Sequence, residues 1–248
     1  MPKANDLHHL AISTADIKTQ IEFFSDVLGM ELVALYWMHG VDGCFHAFLK
    51  LHDTASVAFV QTPDNHKIEP QIGVSHAGNP TASCAPGTMQ HVAFNVDSDA
   101  DLLAMRDRIR SRGIQVLGPL DHGLCKSIYF AGPENLSLEI ASSAEAIDAR
   151  AWIDPEVVAL AGISASELAR YMKPAPYAGK GGTLTQPPHD PSKPNQVWPE
   201  KFQVVLSWPD EQVTATMSQS EPPVKVVAES APGQAAADAL TRRGGPCS

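Results

Sequence analysis

The sequence predicts an α+β fold: two βαβββ modules whose strands form one curled mixed sheet, followed by a largely irregular C-terminal extension. Three observations lead there. Leu7-His8-His9-Leu10-Ala11-Ile12-Ser13 and Met89-Gln90-His91-Val92-Ala93-Phe94-Asn95 align without a gap at an offset of 82 residues. Each of these stretches is followed by a segment with helical apolar spacing and then by three runs of strand character. Past residue 145 the chain changes to short capped helices and proline-rich segments.

The first module spans about residues 5–62. Its opening strand leads to a helix in which Ile17, Ile21, Phe24 and Leu28 fall at i, i+4, i+7 and i+11. Asp16 is placed to cap that helix, and Gly29 to stop it. Strands are expected at 30–37, 43–51 and 55–61. Residues 62–87, rich in Pro, Gly, Asn and Ser, link the modules. The second module spans about 88–142. Its helix carries Leu102, Met105 and Ile109 on one stripe, with Ser98 as cap and Gly113 as stop, and strands follow at 114–119, 125–131 and 136–141.

Residues 1–145 thus read as one domain, and 146–248 as the extension. Asp154-Pro155 opens a short helix that Gly162 ends, and Ser164-x-x-Glu167 is a capping box for another. Residues 173–199 hold seven prolines and read as an extended polar arm. Lys201–Trp208 is expected as a strand, and the chain from about Pro209 onward as disordered.

The bulk numbers exclude some partners. The chain has 248 residues, with 18 basic against 28 acidic side chains and a formal net charge of −10. That balance argues against nucleic-acid backbones and anionic membranes. No apolar run approaches the roughly 20 residues of a spanning helix, and Met1–Asn5 opens no signal peptide, so a cytoplasmic location is expected. Cys44, Cys84, Cys125 and Cys247 form no close pair and read as reduced thiols.

Alternation along the strands sorts the side chains by face. His9, Ala11 and Ser13 point one way, opposite Leu10 and Ile12. His91, Ala93 and Asn95 oppose Val92 and Phe94. Ser137, Glu139 and Ala141 oppose Leu138 and Ile140, and Ser127, Tyr129 and Ala131 oppose Ile128 and Phe130. Each strand therefore has an apolar face, and a second face of small residues with one large polar group. Such faces suit a sheet curled around a wet cavity. His9, His91 and Glu139, single large polar groups on those faces, are the candidate metal ligands.

A doubled βαβββ unit with His on the first strand of each copy and Glu on the last resembles the vicinal oxygen chelate superfamily over roughly residues 5–142. The resemblance implies a metal-centred cavity held by His9, His91 and Glu139, with several chemistries open to it. Glyoxalases of the superfamily add a fourth ligand on the fourth strand of the first copy. Phe59 stands at or near that place, within Val57-Ala58-Phe59-Val60, with no acid in reach. Three ligands leave one side of the metal open, as in non-haem Fe(II) oxygenases. The stretch His122-Gly-Leu-Cys-Lys-Ser-Ile128-Tyr129-Phe-Ala-Gly132-Pro133-Glu-Asn135-Leu-Ser-Leu-Glu139 is closest in motif to type I extradiol ring-cleavage dioxygenases. It departs from their pattern at Leu120, Gly132 and Asn135. The further active-site His that two-domain members carry on the fourth strand is missing from Ala55-Ser56-Val57-Ala58, while His46 and His52 lie on or near the preceding strand.

The resemblance implies an Fe(II) enzyme, with Mn(II) or another divalent metal as the alternative, that opens a small catecholic substrate with O2. His122 and Tyr129 would act as catalytic acid–base and orienting groups. Phe45, Phe48, Phe59 and the 62–87 loop are candidates for an aromatic-accepting wall. Two further functions stay open: a divalent-metal lyase, isomerase or glutathione-type transferase, and a protein that sequesters a small aromatic. A homodimer is expected, clasped by the proline-rich arm.

Overall fold

The computed structural model describes residues 3–225. The chain divides into two compact units, Met1–Gly182 and Thr183–Ser248. The first unit holds both modules. Module one runs β1 (His9–Ser13), α1 (Ile17–Glu22), β2 (Glu31–Trp37), β3 (Phe45–His52) and β4 (Ala55–Gln61). Module two repeats the order with β5 (Val92–Val96), α2 (Asp99–Ser111), β6 (Val116–Asp121), β7 (Lys126–Ala131) and β8 (Ser137–Ser142).

Each helix begins where a short polar side chain takes up its free backbone amides. Asp16 accepts from the backbone of Lys18 and Thr19, and Ser98 from that of Asp101. Gly29 and Gly113, at φ +82° and +78°, supply the left-handed turns that end the two helical segments. The first segment changes character midway. Phe23–Val27 is π-helical, with the Leu28 amide bonded to the Phe23 carbonyl. The extra residue in that turn sends Phe24 and Val27 into the core.

The eight strands make two four-stranded sheets, in the orders β1-β4-β3-β2 and β5-β8-β7-β6, where the sequence suggested one continuous sheet. β1 and β5, five residues each, end their sheets, and among the described residues each pairs only with the last strand of its own module. Side chains join the modules instead. One apolar core takes Ile12 and Phe59 from the first sheet, Phe94 and Ile140 from the second, and Phe24, Leu102 and Ile109 from the helical segments. The Phe24 ring meets Phe59 and Phe94 edge-on, at centroid distances of 4.8 and 6.2 Å. Arg108 of α2 donates to the carbonyls of Val27 and Asp26, satisfying the end of the first helical segment from across the module boundary.

The start of the extension follows the sequence reading. After α3 (Ala149–Trp152), α4 (Pro155–Leu160) is capped by Asp154, and α5 (Ala165–Met172) opens on a complete Ser164–Glu167 capping box. Two expectations fail in the second unit. Lys201–Trp208 is helical, with α6 (Glu200–Gln203) followed by a 3-10 turn over Val204–Ser207. A strand needs a neighbour for its backbone groups, and among the described residues none pairs with this segment. Pro199 and Glu200 instead favour a helix start. The chain past Pro209 forms α7 (Asp210–Met217), with two acids in its first turn. The disorder expected for 226–248 lies outside the described residues.

Glu134 is the other tie between modules. It accepts from the Ala15 amide at 2.7 Å and from Gln20 Nε2 at 2.8 Å, and Gln20 is fully buried. Glu134→Ala leaves that amide without a partner and is expected to cost about 2 kcal/mol in urea unfolding. Adding Gln20→Leu should recover part of the loss. A single variant as stable as the parent would remove Glu134 as a tie.

Candidate functional site

Because one face of β1, β3, β4, β5, β7 and β8 is committed to the core, their polar residues gather on the other. On the second sheet, β7 and β8 place Tyr129 directly across from Glu139. Glu139 is 5% exposed, the deepest acid of this region. His91 stands one residue ahead of β5, which runs parallel to β8, and its Nε2 lies 3.0 Å from Glu139 Oε2. His91 Nδ1 faces the side-chain carbonyl of Gln90. An imidazole that donates there turns a lone pair on Nε2 towards the carboxylate. Two acceptors at that distance need a positive centre between them, a proton or a metal ion.

The spacing also suits an ion. Two donors each about 2.1 Å from one metal and at right angles to it are separated by about 3.0 Å. A nitrogen and a carboxylate oxygen are a donor set that Fe(II), Mn(II) or Zn(II) accepts.

Tyr129 extends the row. Its hydroxyl is bonded to His122 Nε2 at 2.9 Å, with the rings edge-on. Burial holds the Tyr129 pKa above the usual tyrosine value. The Glu139 carboxylate adds to this shift, and a hydrogen bond with Ser127 works against it. Beside Tyr129 opens a groove of about 780 Å³, edged by Arg110, Ile114, Leu117 and Ala131. The structure therefore brings four of the five predicted site residues into one row: His91, Glu139, Tyr129 and His122.

His9 belongs to a separate cluster on the first sheet. It pairs with Ser56 across β1 and β4, its ring meets Phe48 edge-on at 5.5 Å, and its Nδ1 is 3.0 Å from His8 Nδ1. Among the described residues no three His, Cys, Asp or Glu side chains gather closely enough to hold an ion. His91 and Glu139 supply two donors at a spacing an ion accepts, and His9 does not stand with them here.

The register corrects two sequence readings. His9 pairs with Ser56 as β5 and β8 align His91 with Ser137, so the counterpart of Glu139 in the first module is Ala58, one residue before Phe59. The inference that no acid stands there is unchanged. Phe59 is fully buried in the core, and Phe45 packs against it, so of the three candidate wall residues only Phe48 lies on the polar face.

The same register separates His46 from His52. His46 shares its face with His9, Phe48 and Ser13, is 8% exposed, and has no partner for Nε2, while Tyr36 meets its Nδ1 at 3.3 Å. His52 is exposed and pairs with Asp6 at 3.0 Å. The signal for His46 was present in Phe45–Leu49, where Phe45, Ala47 and Leu49 alternate with His46 and Phe48; without the register it could not be read.

Residues 6–140 match the family described as the Glyoxalase/Bleomycin resistance protein/Dioxygenase superfamily. The chain belongs to that superfamily. Two relatives from Rhodococcus globerulus, biphenyl-2,3-diol 1,2-dioxygenases 3 and 2, are 22% and 26% identical over 134 and 132 residues. Those stretches cover 54% and 53% of this chain, and 61% and 60% of the relatives, so the likeness spans about three-fifths of their length. Among solved structures, a glyoxalase/bleomycin resistance/dioxygenase domain from Frankia covers 57% of this chain and 99% of its own at 14% identity, with a TM-score of 0.46. A fosfomycin resistance protein from Listeria monocytogenes covers 57% and 94% at 14% identity, with a TM-score of 0.40.

Burial, and then the nearness of His9, hold the His46 pKa below the ordinary histidine value. A base with a lowered folded pKa adds stability that is present above the unfolded value, near 6.5, and is lost as pH falls below it. Urea unfolding between pH 7 and 5 should show a decline in stability that is smaller in His46→Gln. An identical decline in the variant would mean that His46 is not buried as a neutral ring.

Proposed function

We propose that the chain is an Fe(II)-dependent extradiol dioxygenase, which opens a catecholic ring beside its hydroxyls with O2. The observation that supports this reading is the continuous row His91–Glu139–Tyr129–His122, an imidazole–carboxylate pair beside a hydrogen-bonded Tyr–His pair. In this reading His91 Nε2 and the Glu139 carboxylate would hold the metal, with Mn(II) or another divalent ion as the alternative; His9, the third ligand suggested by the sequence, stands apart from them. When bound, the metal supplies a Lewis-acidic centre that lets the substrate hydroxyls ionise and gives O2 a place beside the ring.

The protein's own side chains do the rest. Tyr129, kept protonated by burial, would donate its proton to His122 Nε2 and accept a hydrogen bond from the substrate hydroxyl on its own oxygen. His122, bonded to the Tyr129 hydroxyl, accepts the proton that the substrate gives up and returns it to the opened product. The names of the two Rhodococcus relatives favour a bicyclic catechol.

The test is O2 uptake by Fe(II)-loaded protein with a panel of simple and bicyclic catechols. A yellow ring-opened product and matching O2 uptake are expected. His91→Ala and Glu139→Ala should lose stoichiometric iron. His122→Ala should keep its iron while kcat falls about 10²-fold, and Tyr129→Phe should fall less. No uptake with any catechol, alongside metal-dependent turnover of another substrate under argon, would replace this reading with a lyase, isomerase or transferase. Binding without turnover would replace it with sequestration.

A further inference from the structure

We propose that Trp152, in the extension, is a positioning residue for His122. The superfamily match ends at residue 140, and Trp152 closes α3 twelve residues later. Its indole nevertheless lies on the loop that carries His122. A methyl group placed on Gly123 would meet Trp152 Cη2 at 2.9 Å and Cζ2 at 3.0 Å, so the ring rests on the bare Cα of Gly123.

That loop is held from two sides. From within, the His122 amide donates to the Cys125 carbonyl at 2.9 Å, and the Gly123 amide to Asp121 Oδ1 at 2.8 Å. Gly123 sits at φ +79°, a conformation that side chains other than glycine's adopt rarely. From outside, Trp152 covers it. The indole is fixed in turn by its short helix: Asp148 accepts from the Arg150 and Trp152 amides and pairs with the Arg150 guanidinium.

His122 must fold back along the sheet to reach Tyr129, whose strand partner is Leu117. A small shift of Gly123 is therefore passed directly to the imidazole of its neighbour His122. Misplacement by about 1 Å can cost a catalytic group up to 10²-fold. Trp152 blocks that shift sterically and needs no contact with the substrate. The kinetic part of this inference rests on the dioxygenase reading; the contact and the positioning do not.

The experiment uses the full-length chain and has three arms. In metal-free protein, NMR of the His122 ring nitrogens should show one fixed tautomer, which becomes an averaged imidazole in Trp152→Ala and is restored in Trp152→Phe. In a double-mutant cycle, Gly123→Ala should cost clearly less stability in the Trp152→Ala background than in the parent. In Fe(II)-loaded protein, Trp152→Ala should lower kcat for catechol about tenfold with KM and iron content unchanged, and Trp152→Phe should recover most of it. His122 signals unaltered in Trp152→Ala, or strictly additive Gly123 and Trp152 effects, would overturn the proposal. A parent protein inert towards all catechols would instead overturn the dioxygenase reading, with the first two arms still deciding the role of Trp152.

Discussion

Both sheets bury one face in a common apolar core, and that constraint decides where chemistry can sit. Strand side chains alternate with a period of two, so a residue that is not in the core is forced to the other face. Ile128, Phe130, Leu138 and Ile140 take the core side of β7 and β8. Ser127, Tyr129, Ser137 and Glu139 are thereby lined up together. Small neighbours such as Ala93 and Ala131 leave room around the two large polar groups. The Tyr129–Glu139 part of the row is a by-product of how the core is filled, while His91 and His122 reach it from the segments just outside β5 and β6.

Glu139 shows what this arrangement costs and why it persists. A carboxylate this deep is stable only when paired, and removing the partner of such a group typically costs about 3–5 kcal/mol. His91 and Tyr129 are the groups that meet it. Each belongs to a different strand region, so the pairing also fixes the register of β5 against β8 and of β8 against β7. A one-residue slip of β8 would put Glu139 in the core and Leu138 or Ile140 on the polar face. Site and fold are specified by the same alternation.

Much of this was legible from the residues. The 82-residue offset between the two His-bearing stretches revealed the duplication, and Asp16, Ser98, Gly29 and Gly113 marked the helix ends that form. His91 and Glu139 came from strand alternation, a local property, and His122 and Tyr129 from the resemblance of their stretch to the extradiol signature. What local pattern could not give was pairing between distant segments. The break between β1 and β5, the placement of His9 beside Phe48, and the burial of His46 all depend on register or on tertiary packing. Phe202-Gln203-Val204-Val205-Leu206 carries strand-like residues, yet it is helical for want of a partner strand. Trp152 was invisible because its relation to Gly123 crosses from the extension into the second module.

The central claim is that the His91–Glu139 pair is the seat of a divalent metal. The most direct measurement is a crystal structure of the full chain grown with Fe(II) or Mn(II), with anomalous scattering collected at the metal's absorption edge. The account predicts one strong anomalous peak within about 2.3 Å of both His91 Nε2 and a Glu139 carboxylate oxygen. A peak bound elsewhere, or a saturated crystal in which His91 and Glu139 still touch with no metal between them, would contradict it.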